Sequence, residues 1–249
     1  MQNFVGTLRR CVEDYAMIEA GDAVAVGVSG GKDSVALLSA LAELREYFPK
    51  SFTLHAITID MGFPNMDFAP ISELCESLRV PYTIKKTEIA PIIFDHRQEK
   101  NPCALCSKMR RGALNDAITS MGITKLALGH HMDDAVETLL MSLFYEGRIA
   151  SFQPVTYMSR SGVTQIRPMV YCREKDVVGY VRAKNLPTVQ STCPVDGASK
   201  RQEIKELIRD LSATFPDIKT KVFGAMQRLP LDNWEPLKRE RKSCQRREE

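Results

Sequence analysis

The 249-residue sequence predicts a doubly wound, mostly parallel α/β sheet with a small C-terminal helical appendage. Three observations predict it. Short β-branched apolar runs alternate with stretches of helical period; glycine-bearing segments follow two of those runs and open the next helix; and the alternation stops near residue 190. In chain order, residues 23–28 read as the first strand and 34–47 as its helix, with Leu37, Leu38, Leu41 and Leu44 along one stripe. Further strands are expected at 52–59, 82–87, 125–128 and 165–170, and further helices at 70–78, 106–121, 133–144 and 174–184. Beyond residue 191 only amphipathic helical patterns remain, at 198–211 and 220–227. Residues 229–236 hold two prolines and the only tryptophan, cannot continue a helix, and are expected to lie over the domain surface. The predicted division is therefore a nucleotide-type sheet domain at 1–190, a small helical region at 191–237 and a basic, disordered tail at 238–249. Sheets of this kind bind ligands at the carboxyl ends of their strands.

Composition narrows the class. With 44% hydrophobic and 26% charged residues the chain is neither disordered, collagenous nor a coiled coil. A core of this size needs no metal or disulfide merely to fold, so any metal is there for chemistry. The 34 basic and 31 acidic residues leave a net charge of +3, and the last twelve residues supply all of it through Lys238, Arg239, Arg241, Lys242, Arg246 and Arg247. A nucleic-acid partner must then be held by local patches and the tail. Seven cysteines are an odd number, and residues 1–20, interrupted by Arg9, Arg10, Glu13, Asp14 and Glu19, do not form a signal peptide. The expected compartment is the reducing cytoplasm, with no membrane span and no structural disulfides.

Ser29-Gly30-Gly31-Lys32-Asp33-Ser34 lies between the first strand and its helix, where successive N–H groups and the helix dipole favour phosphate oxygens. The spacing is neither a Walker A loop nor the dinucleotide fingerprint. A plain strand-to-helix turn capped by Asp33 or Ser34 is the bland alternative. The hexapeptide resembles the signature of the PP-loop, or N-type, ATP pyrophosphatase superfamily. That resemblance implies a PP-loop ATPase fold of the adenine nucleotide alpha hydrolase type, ATP pyrophosphate and Mg2+ held by Ser29 to Ser34, Lys32 included, and Asp60 at the adenosine, although Asp60 reads equally well as a plain turn aspartate.

Residues 129–138, Gly-His-His-Met-Asp-Asp-Ala-Val-Glu-Thr, form a second strand-glycine-helix junction with two carboxylates in the first helical turn. Asp at a helix start is often only a cap. The segment resembles the Gly-His-[Asn/His]-x-Asp-Asp-x-x-Glu-Thr element of the PP-loop enzymes that thiolate tRNA or form lysidine. By that likeness Gly129 and His130 line the nucleotide pocket, and Asp133 or Asp134 binds magnesium or moves a proton; His131 and Glu137 have an equally good reading as braces of the loop.

Cys103-Ala104-Leu105-Cys106 opens a helix that carries Lys108, Arg110 and Arg111. A C-x-x-C at a helix start reads as a redox dithiol, half a zinc site or half an iron–sulfur site. Cys193 follows the last strand–helix pair and is able to return to the same rim, whereas Cys11, Cys75, Cys172 and Cys244 have no spacing partner and read as incidental thiols. From Val24 to about Leu229 the chain resembles the tRNA 2-thiocytidine synthetases, an iron–sulfur-dependent PP-loop group, through these motifs and through Leu143-Phe144-Tyr145-Glu146-Gly147-Arg148 and Ile166-Arg167-Pro168-Met169. The resemblance implies a [4Fe-4S] cluster on Cys103, Cys106 and Cys193. It also implies adenylation of a pyrimidine carbonyl, with cytidine of the anticodon loop as target, and replacement of that oxygen by sulfur. Arg110, Arg111 and Arg148 are candidates for neutralising phosphate or holding RNA, and solvated helix faces are the stronger reading for any single one of them. A homodimer and a sulfur donor, a cysteine desulfurase or free sulfide, are implied too. The alternatives are another tRNA base, a small-molecule carbonyl, or a metal-binding regulatory protein with an ATP site.

Overall fold

A computed structural model describes residues 4–97, 102–190, 192–194 and 200–228. The expectations for 229–236 and for the tail at 238–249 lie outside the described residues. One six-stranded sheet has the order β3-β2-β1-β4-β6-β5, with β1 Ala23–Gly27, β2 Thr53–Asp60, β3 Tyr82–Lys86, β4 Lys125–Ala127, β5 Val155–Met158 and β6 Val163–Ile166. All neighbours are parallel except β5 and β6, which form an antiparallel hairpin. The strand order reverses between β1 and β4. The crevice at that reversal, above their carboxyl ends, is where a sheet of this type takes a ligand.

Side chains alternate across the sheet, and each face has its own core. Val24 and Val26 of β1 belong to the larger core. That core gathers α1 Phe4–Asp14, α2 Lys32–Arg45, α3 Ala69–Ser77, α5 Met132–Glu146 and α6 Glu174–Ala183. Ala25, between the two valines, points to the opposite core with Ile57, Ile59, Leu126 and Val163, which is covered by α4 Pro102–Ser120 and a π-helical turn at Pro91–His96. The last two helices, α7 Lys200–Thr214 and α8 Ile218–Arg228, pack on α5 and add Ile204, Ile208, Phe223 and Met226 to the larger core.

Several elements differ from expectation for identifiable reasons. Helix α1 is masked in sequence by Arg9, Arg10, Glu13 and Asp14, which break apolar continuity but occupy the outer side of a helix whose Phe4, Val5, Leu8, Cys11 and Val12 are buried. The strand expected at 165–170 instead spans Val163–Ile166, because Pro168 has no N–H for a ladder and the Val170 N–H closes a turn onto Arg167 O at 3.1 Å. Strand β5 was not expected; it is short and carries the exposed Tyr157. Helix α4 starts at Pro102, a residue suited to a first helical position, so both cysteines of the C-x-x-C fall in its first turns.

Candidate functional site

The loop from β1 into α2 is closed by its own side chains. Ser34 Oγ donates to Gly31 O at 2.9 Å, accepts the Ser29 N–H at 3.1 Å and lies 3.2 Å from Ser29 Oγ. Gly30 has φ +86°, and a Cβ there would stand 2.8 Å from Val189 Cβ. No side chain caps the start of α2, which leaves the amides of its first turn for an anion. Lys32 Nζ lies 2.9 Å from Asp33 Oδ1 and 3.1 Å from Glu174 Oε1. Burial pulls the Lys32 pKa down, but these carboxylates outweigh it and hold the ammonium above its ordinary value.

The second glycine segment meets the first at backbone distance. A Cβ on Gly129 would stand 3.1 Å from Asp33 C, Asp33 O and Ser34 N, so a side chain here would press the two loops apart by a few tenths of an ångström. The adjacent histidines then part. His131, almost fully buried, caps α5 by accepting the Asp134 N–H at Nδ1, which leaves its Nε2 3.6 Å from Asp33 Oδ1. His130 turns away to Phe152, with ring centroids 4.9 Å apart, and its pKa is pushed down to about 3 by burial and then by Arg167, Arg201, His131 and Arg110. The brace reading of His131 is therefore accompanied by direct proximity to the first loop, while His130 faces the side that carries α4.

The two aspartates also differ. Asp133 is 3% exposed, and both of its oxygens are occupied: one by Lys219 Nζ at 2.5 Å, the other by the Glu174 N–H at 2.8 Å. Burial raises its pKa, but Lys219 and that amide outweigh burial and keep it below the usual carboxylate value. It ties α5 to the starts of α6 and α8. Asp134 accepts the His131 N–H at 2.9 Å and lies 3.6 Å from Arg201. Glu137, 1% exposed, takes Arg201 at 3.1 Å and Lys205 at 3.8 Å, and burial raises its pKa despite them. Asp60 caps its own turn, accepting the Gly62 N–H at 3.0 Å.

Cys103 is exposed, Cys106 and Cys193 are half-buried, and all three are thiols outside any disulfide. Burial raises the Cys106 pKa, Arg110 one turn later opposes it, and the neighbouring Cys193 and Cys103 raise it further. Cys193 reaches this rim because its segment is anchored to both neighbouring loops: the Val189 N–H donates to Gly30 O at 2.9 Å, and Thr192 Oγ1 donates to Pro64 O at 3.1 Å. Among the described residues no three His, Cys, Asp or Glu side chains are drawn in around a single metal ion. The remaining described thiols, Cys11, Cys75 and Cys172, are buried in the core. Sequence reasoning missed Lys219, Glu174, Arg201 and Val189, whose roles depend on contacts far along the chain; the basic character of 200–205 was the one available signal.

The model of the PP-loop domain family matches residues 3–211. The chain belongs to the PP-loop family. Within it, the chain groups with the tRNA 2-thiocytidine synthetases: it is 38% identical to the tRNA-cytidine(32) 2-sulfurtransferase of Pelobacter propionicus over 87% of this chain and 82% of that one. The Vibrio cholerae protein of the same name is 37% identical over 88% of this chain and 71% of its own. In fold, the PP-loop chain resembles the U34-tRNA thiolase NcsA from Methanococcus maripaludis, solved with its [4Fe-4S] cluster. The TM-score is 0.73 at 24% identity, covering 90% of this chain and 78% of that one. The PP-loop match extends past residue 190 into α7.

Proposed function

We propose that this chain is an ATP-dependent tRNA sulfurtransferase that replaces the C2 oxygen of a cytidine in the anticodon loop with sulfur, as the names of its relatives state for cytidine 32. The observation that carries the reading is the anchoring of the Cys193 segment on the PP-loop through Val189 and Gly30. It sets a thiol-bearing rim against a phosphate-binding loop.

ATP is assigned to the crevice between the two glycine loops, with its phosphates on the Gly30–Ser34 amides. Asp33, one-third exposed beside Lys32, is the carboxylate assigned to Mg2+, because both oxygens of Asp133 are already engaged. The cytidine O2 attacks the α-phosphorus; the bond to the β-phosphate oxygen breaks and pyrophosphate leaves. Sulfide then adds to C2, the C–O bond breaks, and AMP departs with the electron pair. A proton is released and no net oxidation occurs. Lys32 balances phosphate charge, and His131, held by its cap, fixes Asp33.

The donor set suits an iron–sulfur cluster in ligand type: it is made of three thiols outside any disulfide, and Cys103, Cys193 and Arg110 all stand near enough to Cys106 for their charges to act on it. Cys103, Cys106 and Cys193 are the residues assigned to a [4Fe-4S] cluster, which supplies, when bound, a position for sulfide next to the activated carbonyl. The sulfur donor is assigned as free sulfide, or as a cysteine desulfurase whose persulfide sulfur a two-electron thiol reductant releases as sulfide; the compartment is assigned as the reducing cytoplasm, and the assembly as a homodimer. No described helix is long and apolar enough to cross a membrane. Anaerobic purification with iron and sulfide counting tests the cluster: Cys193→Ala is expected to lose both, and zinc alone in the wild type would end the assignment. Nucleoside analysis of tRNA from a deletion strain tests the activity, and an unchanged level of 2-thiocytidine would refute it.

A further inference from the structure

Among the described residues, the buried polar atoms without a hydrogen-bond partner include His130 Nδ1 and Arg167 Nε, both beside the site. Such atoms are costly in a protein interior and call for a ligand, a water or a functional role. Both residues rest on one aromatic ring. His130 is tilted against Phe152 at 4.9 Å between centroids, and the Arg167 guanidinium stands 5.0 Å from the centre of the same ring. Arg167 is 6% exposed and fixed through its other nitrogens by Gln153 O, Thr156 Oγ1 and Gln165 Oε1. Gln165, itself 3% exposed, is left with an unpartnered Nε2. Arg110 and Arg111, exposed on α4 and without a carboxylate partner among the described residues, act on this group from the cysteine side, Arg110 on His130 and Arg111 on Arg167.

The donor and acceptor pattern of these atoms is specific. With its ring proton on Nε2, a neutral His130 offers Nδ1 as an acceptor, and Arg167 Nε–H is a donor. Cytosine presents the complement on adjacent atoms: its N4 amine donates and its N3 accepts, while O2 stays free for adenylation. Uracil presents O4 and N3–H, which reverses both. Enzymes that act on a base outside the helical stack commonly read this edge while an aromatic side chain packs on the ring.

We propose that His130 and Arg167, on the Phe152 ring, are the residues that select cytosine over uracil, His130 by accepting from N4 and Arg167 by donating to N3. The assignment rests on the tRNA-thiolating reading above. It separates the adjacent histidines by role, His131 serving the ATP loop and His130 the base.

The test uses the anaerobically prepared holoenzyme and two anticodon stem-loop RNAs that differ only in cytidine or uridine at the target position, with pyrophosphate release as the readout. The wild type is expected to favour cytidine. His130→Phe keeps a ring on Phe152 and removes the acceptor; it is expected to reduce the cytidine-to-uridine ratio about ten- to a hundredfold while ATP affinity, measured separately, is unchanged. Arg167→Lys, which keeps the charge and loses the planar donor, is expected to reduce the ratio likewise, with folding checked by thermal unfolding. An unchanged ratio in His130→Phe, or an equal loss with both RNAs, overturns the assignment and leaves a water-filled or purely structural site. Absence of pyrophosphate release from the wild type with either RNA would instead refute the thiolation reading itself, and the base-selection role with it.

Discussion

Replacing Gly30 by alanine tests whether the Cys193 segment is clamped to the phosphate loop. The left-handed φ of +86° costs a residue with a Cβ about 1–2 kcal/mol. The new Cβ would also stand 2.8 Å from Val189 Cβ, an overpacking that costs about 1–3 kcal/mol when neighbours must shift. The sum, about 2–5 kcal/mol, corresponds to a fall in Tm of about 4–20 °C for a domain of this size. The clash separates from the dihedral cost in a double-mutant cycle with Val189→Gly, which removes the opposing Cβ and leaves φ unchanged. Thermal unfolding of the four proteins is expected to give a favourable coupling of about 1–3 kcal/mol. Iron content should fall in Gly30→Ala and recover in the double variant. Additive effects within about 0.5 kcal/mol, or an iron content indifferent to either change, would refute the clamp.

Lys219→Met strands the buried Asp133 carboxylate with one amide partner. Because Lys219 itself is 40% exposed, the loss of stability by urea denaturation is expected at or below the lower end of the ~3–5 kcal/mol typical of a broken buried pair. Asp133 is held below its ordinary 3.8, so its contribution is present above that pH and is lost as pH falls through the folded value. The wild type should weaken in that acid range more steeply than Lys219→Met, and parallel curves would speak against the pairing. Glu137 has the opposite sign: raised above 4.5, it costs stability as pH rises from there through its folded value, and Glu137→Gln should flatten that segment of the stability profile. Cys172→Ala, buried in the core and away from the rim, should retain iron where Cys103→Ser loses it; iron loss in both would refute a cluster confined to the rim.

The parallel sheet was legible because β-branched runs at 23–28 and 52–59 contrast sharply with the leucine stripe between them. Boundaries shifted where a local rule decided the end of an element, as Pro168 does for β6 and Pro102 for α4. The hairpin strand β5 was not legible, since Val155–Met158 is short, half-exposed and without strict alternation. In the site, the glycine motifs were readable because backbone approach restricts residue choice. The different orientations of His130 and His131 were not, because adjacent residues at a helix entry leave in different directions and only the fold fixes which way each turns. Asp133 shows the same limit: its sequence context matches a metal ligand, and a lysine 86 positions away occupies it.

The margins of the sheet carry one more implication. At one border β3 ends in the exposed Lys85 and Lys86, and at the other a four-residue hairpin strand closes the row. Charge on one border and brevity on the other discourage an incoming strand from joining. Growth of the sheet from molecule to molecule is thereby disfavoured, and the strands present their carboxyl ends, not their borders, as the face open to other molecules.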